Sequence, residues 1–210
     1  MTAAIELFTR VKGLRKLLPA SWRESLRRRM GDRVPRSFLP DRIFLERHIL
    51  PWLVKPDGGT ILSVGVAEYT AHYEGLVRKL GGVLHTADID PNVAQFGAQS
   101  HVVRSVTELR ASDFPSPPAA ILFNGVIGFG LDDERDIEKA FETLAGLLSA
   151  EGKLVVGWNT DRTADPIATT AAVHRFFDRC SGPTGRMHIT FTGSTHTYDF
   201  LRRKATDGMS

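Results

Sequence analysis

Ile5, Phe8, Val11, Leu14, Leu18, Trp22, Leu26 and Met30 recur at three- and four-residue steps, a spacing that places them on one helical face. Pro19 splits this stripe into two helices, with Ser21 suited to cap the second. A third helix is predicted after Leu39: Pro40 fits its first turn, Ile43, Phe44 and His48 share a face, and Pro51 limits its far end. The pattern changes at the turn cluster Pro56-Asp57-Gly58-Gly59. Residues 60–65 form a short apolar run closed by Gly65, the signature of a buried strand. A helix is predicted over 70–80, a strand over 83–88, a short helix after Pro91, and strands over 101–103 and 119–123. Residues 132–149 give the clearest helix, with acids at its start and a stripe of Ile137, Phe141, Leu144 and Leu148. A strand over 153–158 and a helix over 165–180 follow. Residues 187–191 and 195–201, joined by Thr192-Gly193-Ser194, read as a β-hairpin. The last residues, 204–210, are expected to fray.

Strands alternating with helices at this spacing predict an α/β fold: a Rossmann-like, doubly wound sheet, parallel until the C-terminal antiparallel hairpin. The expected domains are an N-terminal helical extension, 1–56, and a sheet domain, 57–210. The 210 residues suffice for one full-sized core. A hydrophobic fraction of 42% with 24% charged residues excludes a disordered or fibrous chain. No apolar run approaches the ~20 residues of a membrane span. The single cysteine, Cys180, rules out an internal disulfide and thiolate clusters, so a cytoplasmic location is expected. Charge is unevenly placed. The first 36 residues carry ten Lys and Arg against three acids, so a chain of net charge +3 divides into a segment at +7 and a body at −4. The basic pI of 9.2 therefore does not mark the body as a nucleic-acid binder.

In an open α/β sheet, ligands bind beyond the carboxyl ends of the strands, near the point where strand order reverses. Residues 65–69, 88–91, 104–106, 124–126 and 159–161 are therefore the candidates. A glycine such as Gly65 lets the backbone turn and approach a ligand, although ordinary turns use glycine too. Asp88, about twenty residues on, can accept from both hydroxyls of a ribose. It could instead cap the following helix, for which Asp90, just before Pro91, is better placed.

The order strand–Gly65, strand–Asp88, strand–Asn124, long helix, then Leu147-Leu148-Ser149-Ala150-Glu151-Gly152-Lys153-Leu154-Val155-Val156 and a terminal hairpin resembles a class I S-adenosylmethionine-dependent methyltransferase over residues 60–203. That resemblance implies S-adenosyl-L-methionine as cofactor. It matches Gly65 to the first glycine of the cofactor loop, with Ala67 and Glu68 in that loop, and Asp88, followed by Ile89, to the ribose acid. Ser105 and Val106 fall where the family reads adenine, and Asn124 and Gly125 beside the methionine portion and methyl group. The chain departs from the family pattern at Ser63, where an acid is usual, and at Ala67 and Tyr69, where glycines are usual.

Methyl transfer mainly requires positioning and exclusion of water, with a general base for an oxygen nucleophile. His196, with Asp199 nearby to orient it, is the first candidate base and His188 the second; packing and surface roles compete for both. Asp161 and Asp165 could line the acceptor pocket. No spacing of histidines and carboxylates demands a metal, so none is expected. Gly125-Val126-Ile127-Gly128-Phe129-Gly130 lacks the Asn/Asp-Pro-Pro-aromatic signature of base or amide methylation. The expected acceptor is a small molecule or a glycan or lipid-linked group, not nucleic acid. Three roles stay open for the basic N-terminal helices: packing, a lid over the acceptor, or peripheral contact with an anionic membrane. Two other functions also remain: a methyltransferase-like binding protein without activity, or a nucleotide-binding oxidoreductase, which the terminal hairpin disfavours.

Overall fold

The computed structural model describes residues 39–54 and 58–205. The N-terminal apolar stripe with Pro19 and Ser21 lies outside these residues, as do the final residues from 206. The chain divides into two compact units, 1–39 and 40–210.

The second unit opens on helix α1 (Pro40–Phe44), a π-helical turn (Leu45–Ile49) and α2 (Leu50–Leu53). The expectation that Pro51 ends the helix fails. Proline has no N–H and clashes with the carbonyl four residues back. Here the turn before it is widened, with Leu50 N–H reaching Leu45 O, and the helix continues to Leu53. Leu45, Ile49, Leu50 and Leu53 are fully buried in the sheet domain's own core. The segment 40–53, assigned to the extension by sequence pattern, thus belongs with the sheet.

The strands are β1 (Thr60–Val64), β2 (Val83–Asp88), β3 (Ser100–Val103), β4 (Ala120–Asn124), β5 (Lys153–Asn159), β6 (Phe177–Arg179), β7 (His188–Thr190) and β8 (His196–Arg203). They form one sheet in the order β3-β2-β1-β4-β5-β8-β6, with β7 also pairing with β8. The first five run parallel, β8 is antiparallel to β5, and strand order reverses between β1 and β4. Helices α3 (Tyr73–Lys79), α4 (Glu134–Leu147), α5 (Pro166–Thr169) and α6 (Ala171–Phe176) complete the layers. Leu62, Val64, Ile121, Phe123, Leu154 and Val156 cover one face, against Phe141 and Leu144 of α4. Ile61, Leu122, Val155, Tyr198 and Phe200 cover the other, against the helical segment 40–53 and Tyr73 and Val77 of α3. Both faces are buried, as parallel strands require.

The helix expected over 165–180 is instead two short helices and a strand. Thr170 is extended (φ −87°, ψ 120°), and from Phe177 the chain leaves the helix to pair with β8. β6 and β7 share one edge of β8, meeting Leu201–Arg203 and Thr197–Asp199 respectively. That open edge supplies hydrogen-bond partners that local helix propensity cannot match. Lys204, expected to fray, is instead held: its N–H bonds Phe176 O at 2.9 Å. Among the described residues no helix is long and apolar enough to cross a membrane.

Candidate active site

A cavity of about 310 Å³ lies at the carboxyl ends of β1, β2 and β4, where strand order reverses. Gly65 turns the chain out of β1 at φ +93°, a conformation that suits glycine. A Cβ there would also lie 2.7 Å from Asn124 O and 2.9 Å from Val126 Cγ2, so the wall between β1 and β4 closes only around a bare backbone. Asp88, at the end of β2, is half-buried. Its Oδ2 accepts from Val66 N–H at 2.8 Å and its Oδ1 from Asp90 N–H at 2.9 Å. Asp90, not Asp88, caps the next turn by accepting from Asn92 N–H. Asp88 therefore binds the loops after β1 and β2 together while lining the cavity.

Of the other residues matched to a cofactor, Ile89, Ser105, Val106, Asn124 and Gly125 line the cavity; Ala67 and Glu68 do not. Glu68 sits on an exposed 3₁₀ turn. The Ser105 hydroxyl is turned to Thr107, accepting from its N–H at 3.3 Å, which leaves Val106, Val93 and the exposed Ile89 as apolar wall. Tyr69 also lines the cavity without filling it: its hydroxyl accepts from Arg42 Nη2 at 2.8 Å, and the guanidinium lies 4.2 Å from its ring centre.

Below the cavity, on the face covered by segment 40–53, the core becomes polar. Gly157 of β5 stands opposite Asn124, and a Cβ there would run into Asn124 Oδ1. The Asn124 amide therefore lies across the bare strand. Beyond it, His196 and Tyr198 pack edge to face at 4.7 Å on β8. Asn159 Nδ2 donates to Thr195 Oγ1 at 3.0 Å, so its Oδ1 is the atom 2.8 Å from His196 Nδ1. This assigns the proton to Nδ1 and leaves the buried Nε2 as a bare acceptor without a partner among the described residues. Burial, then the charge of Arg42, lowers the His196 pKa to about 4, so the ring is neutral near pH 7. Burial pushes Tyr73 up to about 12, opposed by the same guanidinium.

His196 and Asp199 were expected to act together, but three residues along a strand place them on opposite faces. Asp199 is fully buried and accepts from Trp158 Nε1 at 2.9 Å and Arg179 Nη1 at 2.7 Å. It is His188 Nδ1 that lies 3.0 Å from its Oδ1. The structure thus does not bring His188 together with His196. Asp165 caps α5 by accepting from Ile167 N–H, and Asp161 is exposed. Among the described residues no group of three or more His, Cys, Asp or Glu is placed to hold a metal ion. Sequence reasoning missed Arg42 and Tyr73. The available signal was a charge beside the apolar Ile43 and Phe44 in a helix that has to bury that side.

No protein-family profile and no curated protein sequence matches the chain. Solved structures do. The N-methyltransferase NodS from Bradyrhizobium japonicum WM9, in complex with S-adenosyl-L-homocysteine, superposes with a TM-score of 0.61 at 15% identity, over 86% of this chain and 97% of that one. A TehB-like SAM-dependent methyltransferase from Corynebacterium glutamicum gives 0.55 at 21% identity over 71% and 83%. An rRNA methylase from Streptococcus thermophilus gives 0.51 at 14% identity over 79% and 97%. The fold is that of the class I S-adenosylmethionine-dependent methyltransferases, and it hosts more than one kind of acceptor.

Proposed function

We propose that the chain transfers a methyl group from S-adenosyl-L-methionine to a small-molecule or glycan or lipid-linked acceptor. The observation that carries this reading is the convergence of Gly65, Asp88 and Asn124 on one cavity that stays open beside Tyr69. The residues fit the cofactor. Gly65 leaves the backbone bare at the wall, and each Asp88 oxygen keeps a lone pair for a ribose hydroxyl after bonding one N–H. Ile89, Val93 and Val106 offer an apolar slot for a base. The bound donor would supply an electrophilic methyl group on a sulfonium. Asn124 and Gly125 line the cavity on the side assigned to the acceptor, while His196 does not line it, so its buried Nε2 is the candidate base only for an acceptor that reaches past Asn124. The body's net charge of −4 and the absence of an Asn/Asp-Pro-Pro-aromatic run after β4 support a non-nucleic-acid acceptor.

Titration calorimetry with S-adenosylhomocysteine and NAD tests the reading. Micromolar binding of the first and none of the second is expected. An empty site that gains the nucleoside only in Tyr69→Gly would overturn it in favour of a binding protein without the chemistry.

A further inference from the structure

The cavity is divided by chemistry along the order of its strands. Among the described residues, the ionisable side chains that line it are Tyr69, Tyr73, Asp88, Asp90 and Arg104. All five come from the loop after β1, from α3, or from the ends of β2 and β3. On the other side of Gly65, the wall that follows β4 is built from Val126, Phe129, Leu131 and the bare backbone of Gly125 and Gly130. Asn124 is polar, but its amide oxygen lies against Gly157. Phe129 is 52% exposed, yet its turn is closed. Phe129 N–H and Leu131 N–H both bond Val126 O, at 3.0 and 3.3 Å, and Gly128 N–H bonds Leu131 O at 3.2 Å. Gly128, at φ +81°, is packed so closely on the next loop that a Cβ would lie 2.7 Å from Arg162 Cβ. The Arg162 guanidinium stands 5.3 Å from the Phe129 ring centre. An aromatic ring held out on a fixed turn at a cavity wall is a platform for a flat apolar group.

The same wall restricts the nucleophile. A sugar there would leave hydroxyls unpaired against apolar side chains. An alkylamine arrives protonated and an alcohol keeps its proton. Among the described residues no carboxylate, imidazole or amine lines this side to remove either proton. A thiol, with a pKa of about 8.5, ionises in part unaided; an aromatic thiol does so further, and the thiolate is strongly nucleophilic. The charge of Arg162 beside Phe129 favours that anion over an ammonium group.

Resting on the methyltransferase reading, we propose that the Phe129 side of the cavity takes an aromatic thiol, which is methylated on sulfur without a base from the protein. The thiol gives its proton to water. Its sulfur lone pair forms the new S–CH3 bond as the sulfonium–CH3 bond of the donor breaks, and that electron pair stays on the donor's sulfur. The products are an aryl methyl thioether, S-adenosylhomocysteine and a solvated proton.

The test presents thiophenol or phenol, with S-adenosylmethionine, to the full chain and to a blank without protein. Thioanisole is expected, with anisole formed about a hundredfold more slowly or not at all. The kcat/KM for thiophenol rises with pH through the ionisation of thiophenol itself and then levels. Phe129→Ala raises the KM for thiophenol about tenfold while kcat stays within about threefold, and Phe129→Tyr restores the KM. S-adenosylhomocysteine affinity stays within about twofold in both variants. Anisole formed as fast as thioanisole, a KM indifferent to Phe129→Ala, or S-adenosylhomocysteine binding with no thioanisole formed overturns the proposal. Failure of S-adenosylhomocysteine to bind the wild type overturns the methyltransferase reading instead. Saturation transfer to thiophenol then decides the platform: a signal lost in Phe129→Ala keeps it, and a signal equal in both chains or absent from the wild type removes it.

Discussion

Asp88 serves two purposes with one carboxylate. It bonds the N–H groups of Val66 and Asp90 and faces the cavity with what remains. Asp88→Ala is therefore expected to cost about 2–4 kcal/mol of S-adenosylhomocysteine affinity by calorimetry, through lost charge-assisted hydrogen bonds. It should also cost about 1–2 kcal/mol of stability in urea, because two loop N–H groups lose their acceptor. Unchanged nucleoside affinity would remove the cofactor from this strand end. Asp88, Gly65 and Asn124 were legible in sequence because each closes a buried apolar run, and strand ends are where such sheets bind. Arg42 was not, because its one local signal, a charge beside the apolar Ile43 and Phe44, becomes informative only once the helix is known to bury that side. The partner of Asp199 was open to a parity argument: residues 196 and 199 cannot share a strand face, whereas β7 brings His188 to Asp199 only through the hairpin register.

At the level of elements, β2 and β3 are joined by two side-chain pairs as well as the backbone ladder. His85 Nδ1 lies 2.6 Å from Ser100 Oγ and His101 Nδ1 2.8 Å from Thr86 Oγ1, whose oxygen also accepts from Ala98 N–H. Burial lowers the pKa of both rings, as it does for His196. The unfolded chain, with histidines near 6.5, then binds more protons than the native one, so stability falls as pH drops below that value. For His196, with a native pKa of about 4, the loss amounts to roughly 3 kcal/mol once pH is below 4. Urea midpoints should therefore fall from pH 7 to pH 5, and His196→Gln should flatten the slope; equal slopes would show that the ring is not buried neutral. The far edge of the sheet rests on Asp199. Asp199→Ala strips the acceptor from Trp158, Arg179 and His188 and should cost about 3 kcal/mol by chemical denaturation. His188→Gln should leave the transfer rate unchanged, since His188 and His196 act on opposite faces. The hairpin around Gly193 was readable from its turn chemistry. β6 was not, since its three residues become a strand only where the edge of β8 is free to receive them.

At the scale of the molecule, the strong charge division coincides with the division into units. Residues 1–36 hold +7, while among the described residues the eight strands, the two core clusters and every residue assigned to the site lie between residues 40 and 205. A domain with its own two-faced core and its own cavity is expected to fold without the basic segment. The chain lacking residues 1–36 is expected to unfold in one cooperative transition and to keep its S-adenosylhomocysteine affinity within a few-fold. Its formal charge of −4 reverses its behaviour on ion exchange. The remaining activity then assigns the segment. Retained affinity with lost turnover makes it a lid, because only closure over the acceptor separates the two quantities. Retained turnover per folded molecule with a lower urea midpoint makes it a packing element. Flotation of the full chain on anionic but not neutral vesicles, lost on truncation and weakened by Trp22→Ala, makes it a membrane contact, since a +7 segment gains about 1 kcal/mol per basic residue near such a surface. Loss of the cooperative transition itself would overturn the two-unit division, because it would place part of the sheet's core within those first 36 residues.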